Sequence, residues 1–345
     1  MTQAGPSLCD AVAPLQAGEP VVAAAFLGGV CLFARSGGGV TRVACDVLRA
    51  GEVAVGDEIR AHDDGAVICA ATDGRRLLTG GDDGRIVETL ASGARNVLVE
   101  EPGAWIDALA ARSDGALAWT AGRAARARDA SGGTKSLALP SSSRGLAFMP
   151  KGLRLAIAHY NGVTLWYPNT GAKPETLEWK GSHLDVTVSP DGRFVVTSMQ
   201  ENMLHGWRLS DTKNMRMSGY PAKTRSLSWS KDGSWLATSG ADACILWPFQ
   251  GKDGPMGAAP RECGVRAGVG VTRVAYHPTT QVVAVGYEDS MVLLCRVSDA
   301  SELLARRPVE GGGARISALA WDASGARLAF GAENGEAGVL TLPRG

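Results

Sequence analysis

Five histidines and several carboxylate pairs are the residues of this chain best suited to chemistry. His62, His159, His183, His205 and His277 could serve as bases or metal ligands, but no two lie within 20 residues of each other. No HExxH, GxSxG or phosphate-loop pattern accompanies them. Asp63-Asp64, Asp82-Asp83 and Glu288-Asp289 could hold a divalent cation only if several of them converged in space. The glycine runs at 36–39 and 311–313 lack the following Lys-Ser/Thr that phosphate binding requires. The seven cysteines are scattered without a CxxC pair, so neither zinc nor a disulfide framework is indicated. The expectation is no catalytic constellation, no metal and no cofactor.

Short strands must position these residues. The stretch 227–247, LSWSKDGSWLATSGADACILW, holds three runs of β-type composition, parted by Lys231-Asp232-Gly233 and Gly240-Ala241-Asp242. Asp-Gly tolerates the positive φ of a tight hairpin, so the window reads as a three-stranded antiparallel meander. It recurs without a gap at 68–88, 146–166, 274–294 and 319–339, and with one inserted residue at 186–207. Shorter copies occupy 24–43 and 109–127. Their first turns are spaced by 45, 41, 37, 40, 41, 47 and 45 residues. A strand-only period of this length is the mark of a β-propeller with four strands to a blade.

The fold expected is therefore all-β: one propeller domain over 1–345 with eight four-stranded blades. Blade cores fall at 21–45, 66–90, 106–130, 144–168, 184–210, 225–249, 272–297 and 315–342. Seven blades is the alternative, should 104–139 prove not to be a blade. Residues 7–15 have no other partner and are expected to complete the last blade, closing the ring without a free strand edge.

These repeats resemble the WD-repeat (WD40) family through Ser189-Pro190-Asp191-Gly192, Ser230-Lys231-Asp232-Gly233, Leu236–Gly240 and the third-strand tryptophans Trp166, Trp207 and Trp247. None of these third-strand tryptophans opens a Trp-Asp dipeptide, being followed by Tyr167, Arg208 and Pro248, and the family's Gly-His element persists only as Gly181-Ser182-His183 and loosely at Ala61-His62. The resemblance implies a buried set of His, turn Asp, strand hydroxyl and Trp. Here it is carried in fragments, by His183, Ser198 and Trp207 in one repeat and by Ser239, Asp242 and Trp247 in the next.

The resemblance also implies a non-enzymatic scaffold that presents one face to a protein or peptide. In a propeller the loops leading to the inner strands and the second hairpin turns share a face. That face would carry Trp105, Asp107, Arg144, Tyr160, Glu201, Arg225, Arg273, Glu288, Arg315 and Glu333; aromatic and arginine side chains are enriched at binding hot spots. The alternative is a small-molecule or metal-binding propeller, enzymatic in some cases, that uses carboxylates around the channel. With 35 basic and 35 acidic residues the net charge is zero, which gives no drive toward nucleic acid or an anionic membrane. Without a signal peptide or long apolar run, a cytoplasmic protein, monomeric on its own, is expected. The preference for Arg over Lys, 27 to 8, fits a GC-rich bacterial genome.

Overall fold

The computed structural model describes residues 7–309 and 311–343. Apart from one short 3-10 turn at Cys9–Ala11, every regular element among the described residues is a β-strand. Six antiparallel sheets have four strands each, and a seventh has six. Their inner strands neighbour one another around the ring, with Val21–Leu27 lying between Val67–Thr72 and Ile316–Trp321.

The turns follow from sequence. Asp191 accepts from the Ser189 hydroxyl at 2.7 Å and the Arg193 N–H at 2.9 Å. The Ser189 oxygen in turn accepts the Phe194 N–H at 2.9 Å, and Gly192 takes φ +75°. Asp232 and Ser230 repeat the arrangement, so Ser-x-Asp-Gly is a self-satisfied turn. In the following repeat His277 stands where the serine would, its Nδ1 accepting from the N–H groups of Thr279 and Thr280 at 3.2 and 3.1 Å.

The N-terminal segment closes the ring as expected. Val12–Gln16 pairs antiparallel with Glu336–Thr341, from Val12↔Leu340 to Gln16↔Glu336. Its other edge is covered too: the N–H groups of Gly51 and Ala54 donate to the Val12 and Pro14 carbonyls at 2.8 and 2.7 Å. The Leu8 N–H donates to Leu304 O at 2.7 Å, so the N-terminus also ties the sheet 271–306 to the seam.

The expected count of eight separate four-stranded blades is corrected to seven sheets. The repeats at 144–168 and 184–210 share one sheet, because Glu175–Val188 runs as a continuous strand from the outer edge of the first to the inner edge of the second. Only Lys180, Gly181 and Ser182 separate Trp179 from His183, too few for a loop. A bulge between His183 and Asp185 turns the strand. On its other side Leu155–Trp166 is likewise continuous, with Asn161 at φ +68° and a register shift between Tyr160 and Gly162. The six-stranded sheet bends over a core of its own, made by Ala156, Val163, Leu165, Leu177, Val186, Val195 and Trp207. The alternative reading, that 104–139 forms no blade, is not the cause: Ala108–Ala111, Leu117–Ala121, Ala124–Arg128 and Thr134–Ala138 make a regular sheet.

Similar apolar clusters fill the spaces between the other neighbouring sheets. Fully burying a Leu, Ile or Phe contributes about 1.5–3 kcal/mol. Repeated around the ring, this packing outweighs any single hydrogen bond discussed below.

Candidate partner-binding face

The inner strands begin at this face, and several begin with a bulge: Val21/Ala23, Val67/Cys69, Val271/Arg273 and Ile316/Ala318. The extra residue of each bulge re-aims its side chain. At two of the bulges this residue is Thr272 or Ser317, whose hydroxyls donate to the next inner strand at Ile316 O (2.7 Å) and Val21 O (2.5 Å). Ser226 accepts the Val274 N–H at 3.0 Å in the same manner. These hydroxyls hold the inner strands together where the face opens.

The structure gathers five of the ten face residues into one cavity of about 720 Å³: Arg225, Arg273, Glu288, Arg315 and Glu333. Asn202, Lys223 and Asp242 also line it. Arg315 lies 3.6 Å from Glu288, which also accepts the Gly270 N–H at 3.0 Å. Arg273 is the unusual member. Its Nε donates to Ser317 O at 2.6 Å and its Nη1 to Thr272 O at 3.2 Å, and among the described residues no carboxylate pairs with it. Burial pulls its guanidinium below the ordinary arginine value, and the nearby Arg225 acts the same way; Glu333 and Asp185 oppose them. Asp185 is displaced the other way: burial raises its carboxyl, against the Val186 N–H bond and the Arg273 charge. A desolvated cation held only by carbonyls has capacity left for an incoming acceptor.

The remaining five residues are not brought into this cavity. Tyr160, 55% exposed, lines a separate cavity of about 1020 Å³ with His159, Trp179 and Lys180. Trp105 is 60% exposed. Asp107 accepts the Gly122 N–H at 2.8 Å, the work of a turn residue. Arg144 and Glu201 are exposed; Glu201 sits beside Gly181 and favours the protonated form of His183.

His183 is buried, with Nδ1 2.7 Å from Thr197 Oγ1 and Nε2 3.0 Å from Trp179 O. The strand hydroxyl is therefore Thr197, not Ser198, whose oxygen is buried without a partner. Burial lowers the His183 pKa. Trp166, Trp207 and Trp247 are buried. Asp242 is not part of a buried set; it is exposed on the cavity wall.

Two complete clips were missed. His62 lies 3.0 Å from Asp83 Oδ2 and 2.9 Å from Thr79 Oγ1, an intact His, Asp and hydroxyl set. In the sheet 227–263 a tyrosine replaces the histidine: Tyr220 Oη is 2.6 Å from Thr238 Oγ1 and accepts the Trp247 Nε1–H at 2.7 Å. Spacing held the signal. His62 precedes its threonine by 17 residues and Tyr220 precedes its own by 18.

Among the described residues no cluster of three or more His, Cys, Asp or Glu is arranged to hold a metal ion. No helix among them is long and apolar enough to cross a membrane.

A closed ring of short antiparallel sheets around a channel defines a β-propeller. Comparison with known families makes the assignment narrower. Residues 55–87 and 213–247 match the family described as "WD domain, G-beta repeat", and residues 269–345 match "Anaphase-promoting complex subunit 4 WD40 domain". These matches, together with the ring of sheets, support a WD40-repeat propeller. No curated protein matches it significantly in sequence. Among solved structures it is similar to the computationally designed Ika8 protein, with a TM-score of 0.74 at 15% identity, covering 95% of this chain and 99% of that one. At that identity the likeness shows the fold alone.

Proposed function

We propose that this propeller is a non-enzymatic scaffold that binds a protein or peptide at the face bearing the Arg225, Arg273 and Arg315 cavity. WD40 propellers generally act as protein-interaction scaffolds, and one of the matching families is named for a subunit of a multiprotein complex. The observation that carries the reading is Arg273, a partly buried guanidinium bonded, among the described residues, only to backbone carbonyls and flanked by two further arginines. Desolvated arginines of this kind make binding hot spots once a partner supplies the missing acceptor. Trp105, Asp107, Arg144, Tyr160 and Glu201 would form the outer contact area rather than the anchor.

The balanced net charge agrees with a partner other than nucleic acid. We take the scaffold to be a cytoplasmic monomer from a bacterium, and metal analysis of the purified protein separates it from the small-molecule or metal-binding alternative. The direct test reverses Arg144, Arg225 and Arg273 to Glu together and compares proteins captured from the native extract. Loss of the captured set is expected; an unchanged set would sink the proposal.

A further inference from the structure

Three of the seven cysteines come together although the first and last lie 51 positions apart. Cys244 and Cys263 are direct register partners on adjacent antiparallel strands, so their side chains leave the same face of the sheet. Cys295, on the third strand of the neighbouring sheet 271–306, packs into the same core. The chain just after Cys263 runs hard against it: a Cβ added at Gly264 would stand 3.1 Å from the Cys295 sulfur. The Tyr287 hydroxyl, from that same neighbouring sheet, donates to Gly264 O and fixes the approach. Cys263 is thus the middle thiol, one partner within its sheet and the other across the sheet boundary.

We propose that Cys263 is a peroxide-oxidised thiol whose sulfenic acid is resolved by Cys295 or Cys244 to a disulfide. The Cys263 thiolate attacks one peroxide oxygen, the O–O bond breaks, and hydroxide leaves. The resolving thiol then attacks the Cys263 sulfur; the S–O bond breaks, the leaving hydroxide takes up a proton, and water is released. Two thiols are oxidised by two electrons, and one peroxide is reduced to two waters.

Cross-strand neighbours meet the Cα separation a disulfide requires without backbone movement. The neighbouring thiols also divide the roles. Hydrogen bonds from Cys244 and then Cys295 favour the thiolate at Cys263 against its own burial, while the same bonds and burial together hold the other two as thiols. Access comes from the strand itself. Arg261–Cys263 is only three residues long, held by three register pairs, and follows the Gly- and Pro-rich stretch 251–260. Such an edge opens locally at a small fraction of the global unfolding free energy. The product would pin this weak outer strand, or staple it to the next sheet.

The test treats the intact reduced protein with hydrogen peroxide, blocks free thiols, and maps peptides without reduction. Every disulfide found should contain Cys263, joined to Cys295 or Cys244, while Cys9, Cys31, Cys45 and Cys69 remain alkylatable. Cys263→Ser should form none. A Cys244→Ala/Cys295→Ala variant should instead accumulate a sulfenic acid at Cys263 that a dimedone probe labels. A disulfide lacking Cys263, no disulfide in the wild type, or an unlabelled Cys263 in the folded double variant would each overturn the proposal. The wild-type map stands even if a variant fails to fold.

Discussion

Two repeats solve one structural problem with different residues. In the sheet 67–100, His62 reaches back from the preceding loop to the Thr79 hydroxyl and to Asp83 in the second turn. In the sheet 227–263, Tyr220 reaches the corresponding Thr238 and takes its second bond from Trp247 on the third strand. The first clip joins a loop to a turn through an ionisable pair; the second joins a loop to a strand through neutral groups. What the repeat needs is a buried hydroxyl tied to the loop that leads inward. The identity of the residue tying it is free, so a propeller can lose its sequence signature without losing its clips.

Breaking the first clip should have the largest effect. His62→Ala leaves a cavity at a fully buried site and removes one partner each from Thr79 and Asp83, so thermal or denaturant unfolding should show a loss of about 3 kcal/mol. Tyr220→Phe keeps the ring and removes only the oxygen. It orphans the Trp247 N–H, and a loss of about 2 kcal/mol is expected by the same measurement. A Tyr220→Phe protein as stable as wild type would end the equivalence of the two clips.

The next contrast is in pH. His205 is fully buried, stacked on Trp179 at a ring separation of 3.9 Å, and neither ring nitrogen has a partner. Burial drops its pKa to about 3, with His183 and Arg216 adding to the shift. In the unfolded chain a histidine titrates near 6.5, so below that pH the unfolded state binds the proton and the folded state does not. Stability should therefore be full above pH 6.5 and fall on acidification by about 1.4 kcal/mol per pH unit for this one group. His205→Leu should flatten the slope between pH 6.5 and 4.5; an unchanged slope would place the titration elsewhere. The smallest effect belongs to Ser198→Ala. With Thr197 holding His183 and the Ser198 oxygen unpaired, unfolding should shift by less than about 0.5 kcal/mol.

The strands and turns were legible because local chemistry sets them: Ser-x-Asp-Gly satisfies its own backbone, and alternating apolar runs bury one face. The closing N-terminal strand was legible because an unpaired strand must find an edge. The fused sheet was not. It depends on Trp179 to His183 being too short for a loop, which a repeat alignment hides by counting windows rather than linkers. Tyr220 was missed because only spacing, not residue type, links it to His62. Thr197 and Thr238 were missed because the familiar serine beside each drew the assignment one position along the strand, where the side chain faces the other way. The cavity residues shared a face by argument from topology, but the bonding of Arg273 to Ser317 O and Thr272 O depends on how neighbouring inner strands pack, which spacing does not carry.

Scaffolding of the proposed kind requires one face of the ring to meet the partner. A photoreactive amino acid placed at Lys223, on the cavity wall, or at Lys231, in the first hairpin turn of the same sheet and so on the opposite face, separates the two sides within one repeat. Illumination in the native extract should crosslink a defined protein from position 223 and none from position 231. The same crosslinked protein from 231, with none from 223, would contradict the assignment of the face.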